Sequence, residues 1–208
     1  MNIAADYLIT DVAALEALYG PVGEASIVKE VGYLHPDYRA LIAASPFAVL
    51  ATAGPGGLDA SPRGDAPGFV TVENEHTLLL PDRRGNNRAD SLRNMVADPR
   101  MALLFLIPGV GETLRVNGHA AISTDPALLR RFAVDGKEPR TVVIVTVVSV
   151  FFQCARAIIR SELWNPERHL QRSALPSTGT ILSDLSAGRL GGEEYDREQP
   201  ERQKSTLY

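Results

Sequence analysis

HTLLLPDRRGNNRADSLRN (residues 76–94) changes character twice within nineteen residues. HTLLL is a short apolar run that reads as a strand, and SLRNMVADP, which begins inside the stretch, reads as a helix. Between them lie Pro81, Asp82, Gly85, Asn86 and Asn87, with Arg83, Arg84, Arg88 and Arg93 spread across the turn and the helix. Two readings are open. Asp82 and Asp90 pair with the arginines on a solvated turn, or the turn holds an anion. A helix start offers backbone N–H groups and guanidinium groups offer paired donors, the two ingredients of a phosphate site. On that second reading Arg88 and Ser91, three residues apart, share one helical face.

Outward from this turn the chain is rich in strands. Upstream, GFVTV (68–72), the turn ENE and HTLLL (76–80) form a hairpin. FAVLATA (47–53) is a strand, GPGG (54–57) a turn, and LDASPRG continues from it. Downstream, MALLFLI (101–107) is a continuous apolar run between Pro99 and Pro108, hence a buried strand. ETLRVNGHAAI (112–122) alternates, with Leu114, Val116, Gly118, Ala120 and Ile122 on one face and Thr113, Arg115, Asn117 and His119 on the other. DPALLRRFAV starts a short helix with Asp125 as cap and Pro126 in the first turn. TVVIVTVVSVFF (141–152) is a β-branched strand. About six strands with regular turn signals predict a mainly β protein built as a closed or nearly closed barrel with peripheral helices.

The flanks differ from this centre. Residues 1–45 read as a helical arm, with Thr10 as the cap of TDVAALEALYGP and Pro36 opening HPDYRALIAAS. Residues 46–170 form the barrel domain. Residues 171–208 form a polar tail whose scattered Leu, Ile and Tyr, ending in Leu207 and Tyr208, suit packing on the body or on a partner subunit.

Composition narrows the function. The net charge of −4 over 208 residues argues against a general nucleic-acid binder. Eighteen arginines stand against three lysines, a bias that codon usage explains in total but not in its local clustering. The single Cys154 excludes an intrachain disulfide and a cysteine-based zinc site. The four histidines are widely spaced, so no metal site is expected. The N-terminus lacks the basic and apolar regions of a signal peptide. The run 142–152 is too short for the roughly 20 residues of a spanning helix. A soluble cytoplasmic protein with no membrane contact is expected.

Three further clusters could carry chemistry. DASPRGDAPGF (59–69) breaks a strand region with Pro62, Gly64, Pro67 and Gly68 around Arg63 and Asp65. Such breaks occur at bulges, at edges or where a ligand approaches the backbone. Thr113 and Arg115 share the polar face of an otherwise apolar strand. In FFQCARAIIRSELW (151–164), Gln153, Cys154, Arg156, Arg160 and Trp164 cluster where a strand becomes a helix. A nucleophilic role for Cys154 needs a base beside it, and no histidine is near in sequence, so a small buried hydrophobe is the simpler reading. PGVGETLRVNG (108–118) lacks the third glycine and precedes a strand, so it is no dinucleotide fingerprint. No Walker, G-x-S-x-G or H-E-x-x-H pattern occurs.

As a set, SPFAVLATAG (45–54), SPRGDAPGFV, LLLPDRRGNNRADSLRN, LLFLIPGVGETLRVNGHA, FFQCARAIIRSELW and RSELWNP (160–166) resemble the pyridoxamine 5′-phosphate oxidase-like, FMN-binding split-barrel family. The likeness is greatest to its bacterial subgroup labelled only as probable FMN-dependent enzymes, whose tails look like EYDREQPERQKSTLY. The resemblance implies a six-stranded split barrel, a homodimer, and FMN in clefts at the subunit interface. It implies phosphate contacts from Arg63, with Gly64 and Asp65 beside it, and from Asn86, Asn87 and Arg88, with Ser91 adding a donor. Pro81, Asp82 and Arg83 would run beside the isoalloxazine ring. The family's R-Q-V-R-V-E-G strand falls on ETLRVNG, so Thr113 takes the flavin-contacting glutamine position and Arg115 follows. The segment from Gln153 through Cys154 to Arg160 would approach from the other subunit. Arg88 replaces the family's lysine and Asn86 its serine, which keeps a charge and a hydrogen-bonding group. The paired Trp and Arg elements of true oxidases are not recognisable. The implied function is therefore an FMN-dependent oxidoreductase acting on a small molecule, not pyridoxamine phosphate oxidation. The alternatives are a non-catalytic flavin-binding module, or the same barrel holding a deazaflavin or a tetrapyrrole.

Overall fold

A computed structural model describes residues 4–208. The first three residues of the expected arm lie outside the described residues. Three short helices come first: α1 (Val12–Tyr19), α2 (Glu24–Val28) and α3 (Pro36–Ala44). Asp11, not Thr10, caps α1, its carboxylate accepting from the Ala14 N–H at 2.8 Å. The carboxylate one residue further on sits where the free N–H groups of the first turn converge. Gly20, at φ 71°, ends the helix in the region that favours glycine. Pro36 lies in the first turn of α3, where its missing N–H costs no helical bond.

Seven strands follow, one more than expected: β1 (Phe47–Gly54), β2 (Gly57–Gly64), β3 (Thr71–Asn74), β4 (Thr77–Pro81), β5 (Arg100–Leu106), β6 (Thr113–Ser123) and β7 (Val142–Gln153). They form one antiparallel sheet in the order β2-β1-β5-β6-β7-β4-β3. The additional strand is β2, whose Pro and Gly content read as an interruption. It pairs with β1 without a register break, and Pro62 is tolerated because β2 is the sheet edge. Helix α4 (Asp90–Ala97) links β4 to β5, and α5 (Pro126–Arg131) links β6 to β7. Asp125 caps α5 as expected, accepting from the Ala127 N–H at 2.8 Å.

The core fills one face of the curved sheet. Ala48 and Leu50, Leu78 and Leu80, Leu103 and Phe105, Leu114 and Val116, and Val143 and Val145 are all buried there. Leu34 and Ile42 from the arm and Met95 from α4 close it. Each strand contributes every second residue, as the pleat requires. Burying one such side chain stabilises the fold by about 1.5–3 kcal/mol. The alternation expected along β6 holds through Gly118, where a register shift bends the strand. At that point β6 and β7 approach so closely that a Cβ on Gly118 would sit 2.5 Å from the Thr146 carbonyl oxygen.

Beyond β7 lie α6 (Arg156–Ser161), α7 (Thr178–Leu185) and α8 (Gly192–Ser205). Asp196 of α8 ties α7 to it, accepting from the Gly179 N–H at 2.7 Å and from the Ser177 hydroxyl. No helix among the described residues is long and apolar enough to cross a membrane.

Candidate functional site: an arginine-lined groove

Residues of β2 alternate, so Asp59, Ser61 and Arg63 share one face of the edge strand. That face meets the start of α4, and the loop 82–89 arches beside both. The result is an open groove of about 1010 Å3. Of the residues expected to bind, Arg63, Gly64, Pro81, Asp82, Arg83, Asn86, Asn87, Arg88 and Ser91 all line it. Asp65 lies against it, bound to Arg83.

A relay of hydrogen bonds holds β2 to α4. An Arg63 Nη donates to the Ser61 hydroxyl at 2.9 Å, Ser61 and Ser91 share a bond of 2.8 Å, and the Ser91 hydroxyl donates to Asp59 at 2.6 Å. Ser91 is buried, so its hydroxyl is committed within this relay. The helix itself begins only at Asp90, so Arg88 and Ser91 do not share a helical face. Arg88 instead precedes the Ala89 cap and donates to Asp90 at 2.8 Å.

The backbone around Arg88 is unusual. Asn87 (φ 62°) and Ala89 (φ 53°) are left-handed, while Arg88 between them is not. Left-handed backbone is uncommon outside glycine, so two such residues give this turn a specific, tightly held shape. The Asn86 side chain accepts from the Arg88 N–H at 3.1 Å, and the Asn87 side chain accepts from Arg140 at 2.9 Å.

Arg140, with Lys137, belongs to the loop between α5 and β7, which forms a wall of the groove that sequence reasoning missed. Asp59 and Ser61 were missed as well, although their spacing from Arg63 on a strand could have found them. Tyr208 also lines the groove, and nothing in its local sequence signals that.

Two acids in this region are shifted in opposite directions. Burial pushes the Asp82 carboxyl above its ordinary value, against the opposing pull of Arg63 and Arg140. Burial also pushes on Asp65, but donation from Tyr208, the Ala66 N–H and Arg83 outweighs it, and Asp65 lies below the ordinary range.

The remaining expected residues lie apart from the groove. Gln153, Cys154 and Arg160 line a shallow cleft with Lys29 and Arg156. The Thr113 hydroxyl donates to the Gln153 side chain at 3.2 Å. Arg115 stacks on Phe151 at 4.0 Å, and its buried Nε has no hydrogen-bond partner among the described residues. Cys154 is exposed, contrary to its reading as a buried hydrophobe. It sits just past the end of β7, where the chain leaves the sheet.

Residues 34–154, more than half of the chain, match the family described as pyridoxamine 5′-phosphate oxidase. The chain belongs to this family. The matched region of the pyridoxamine 5′-phosphate oxidase family spans the whole sheet and most of the groove but leaves out the arm before Leu34 and everything after Cys154, Tyr208 included. No functionally curated protein matches the chain. Among solved structures it is similar to HupZ of Group A Streptococcus, at 17% identity over 58% of this chain and 94% of that one, with a TM-score of 0.48. It is similar to a Clostridium acetobutylicum protein related to general stress protein 26, at 14% identity, 57% and 86% coverage and a TM-score of 0.45. It is also similar to General Stress Protein 26 of Bacillus anthracis, at 15% identity, 54% and 88% coverage and a TM-score of 0.41.

Proposed function

We propose that the protein is a homodimeric FMN-binding split-barrel flavoprotein of the cytoplasm, acting as an FMN-dependent oxidoreductase on a small molecule. The observation that carries this reading is the convergence of Arg63, Arg88, Asn86 and Asn87 on one groove beside a left-handed backbone turn. This donor set suits a phosphate dianion, with guanidinium groups from two separate elements and amides between them. Arg63 and Arg88 neutralise the phosphate, Arg88 exchanging Asp90 for it. Asn86 and Asn87 add donors. Ser91 acts through its bond to Asp59, keeping β2 against α4. Pro81, Asp82 and Arg83 border the rest of the groove, where the ring would lie. When bound, FMN supplies the redox chemistry, and the chain supplies anchoring, orientation and exclusion of water.

The outer face of the sheet supports the dimer. Val49, Leu104, Arg115 and Phe151 lie side by side across four strands, each half-buried. A partner subunit on this face would cover them and supply an acceptor for the orphaned Arg115 Nε. Helix α1 adds exposed Val12, Leu15, Leu18 and Tyr19, with none of its residues buried. In such a dimer Thr113, Arg115, Gln153, Cys154 and Arg160 of one protomer approach the groove of the other.

Purified protein is expected to be yellow with a flavin absorption spectrum. A colourless protein that takes up no added FMN at low salt sinks the reading. Bound FMN with no turnover on any nicotinamide-linked donor would leave a flavin-binding module. Displacement of FMN by a deazaflavin or a tetrapyrrole would change the cofactor but not the groove.

A further inference from the structure

Tyr208 sits 143 residues from Asp65 in sequence, yet its hydroxyl donates to the Asp65 carboxylate at 2.6 Å. The second oxygen of the same carboxylate accepts from the Arg83 Nε at 2.7 Å. The Arg83 guanidinium lies 5.5 Å from the centre of the Tyr208 ring and also donates to the Phe132 carbonyl at 2.6 Å. The Asp65 side chain is only 6% exposed and that of Arg83 19%. A segment outside the family match therefore closes a largely buried, hydrogen-bonded cluster against the groove and adds an aromatic ring to its wall.

A purely structural anchor for the segment after α8 would be met by an apolar contact. Here the contact is a phenol aimed at the one carboxylate that holds Arg83. With one Asp65 oxygen on Tyr208 and the other on Arg83, rotation of the carboxyl would break both bonds. The Phe132 carbonyl fixes the far side of the guanidinium. Arg83 thus presents a face rather than a mobile charge, and a planar arginine beside an aromatic ring is a surface on which a flat heterocycle stacks.

We infer that Tyr208 is a binding and positioning residue of the groove, forming the wall against which a planar aromatic ligand rests and fixing Arg83 through Asp65. The inference rests on the flavin reading for its ligand, and it adds a residue from outside the family match to the site. The ring is the larger part of the effect and the hydroxyl the smaller.

The test uses FMN as probe, with affinity measured by fluorescence titration on full-length Tyr208→Ala, Tyr208→Phe and Tyr195→Ala, and the thermal midpoint of each ligand-free protein measured in parallel. Tyr195 lies on α8, away from the groove, and serves as the control for loosening that helix. Tyr208→Ala is expected to weaken FMN at least tenfold, Tyr208→Phe to weaken it less than about threefold, and Tyr195→Ala to leave it unchanged, with the ligand-free midpoints of the two Tyr208 variants lowered to a similar extent because both lose the bond to the Asp65 carboxylate. Unchanged FMN affinity in Tyr208→Ala, or equal loss in Tyr208→Ala and Tyr195→Ala, overturns the inference while the flavin reading stands. A wild-type protein that takes up no FMN overturns both.

Discussion

Arg63 and Asp65, two residues apart, do different work. Arg63 lines the groove, and among the described residues its guanidinium bonds only to Ser61 and to the Pro62 carbonyl. A charge-assisted contact to an anion contributes about 1.5–3 kcal/mol, so Arg63→Ala is expected to weaken FMN by roughly 10- to 100-fold. Titration with FMN at fixed ionic strength checks this, and a variant within twofold of wild type removes Arg63 from the site. Asp65 is instead a structural charge whose native carboxyl titrates below its unfolded value. Its contribution is fully present above the unfolded value of about 3.9 and is lost as pH falls through the depressed native one. Breaking a buried ion pair costs about 3–5 kcal/mol, so Asp65→Asn is expected to destabilise by up to that amount at neutral pH. The gap from wild type should begin to narrow as pH falls below about 4 and close as it passes the depressed native value. Urea unfolding of both proteins at pH 7 and at successively lower pH reads the difference; a gap that does not narrow at all on acidification rules out the ionised carboxylate as its source.

The arginine-rich loop and the β6–β7 ribbon show how elements constrain side chains. Residues 76–94 do run from strand through turn to helix, because their apolar pattern switches period at the glycine and asparagines. The helix start falls two residues later than an Arg88–Ser91 pairing requires, because Asn87 and Ala89 adopt left-handed backbone, which no propensity of alanine suggests. In the ribbon, Gly118 faces the Thr146 carbonyl of the neighbouring strand, a ladder atom that cannot swing aside. Gly118→Ala is expected to cost about 1–3 kcal/mol through overpacking. A fall in thermal midpoint with intact far-ultraviolet circular dichroism at low temperature would report it; an unchanged midpoint would mean that the two strands separate easily there.

Across the whole molecule, the half-buried outer face is the feature a single protomer leaves unfinished. Leu104 lies in its middle, between Val49 and Arg115. Leu104→Asp should leave the inner core untouched, since neighbouring strand residues point to opposite faces. It is expected to convert the proposed dimer to monomer in light scattering and, if the proposed site draws on both subunits, to lose FMN together with the partner. A monomer that keeps wild-type FMN affinity would confine the site to one chain.

Local pattern sufficed for most of the strands, the α5 cap and the arginine turn, because period, capping and turn chemistry act over a few neighbouring residues. The family resemblance, rather than local pattern, grouped Arg63 with Asn86, Asn87 and Arg88, and the fold brings all four to one groove. Residues 59–69 read as an interrupted strand region, but that residues 57–64 pair without a break was not legible, because whether a proline is tolerated depends on which edge of the sheet is left unpaired. Only the tertiary structure brought Asp59, Arg140 and Tyr208 to the groove, turned Ser91 inward to Asp59 and set Thr113 and Gln153 apart on another surface. The closing Leu207 and Tyr208 suggest packing on the body or on a partner, but which residue Tyr208 meets, Asp65 at a separation of 143, leaves no mark in the local pattern of either segment. That contact arises only once the sheet has curved around its core and placed both beside the same groove.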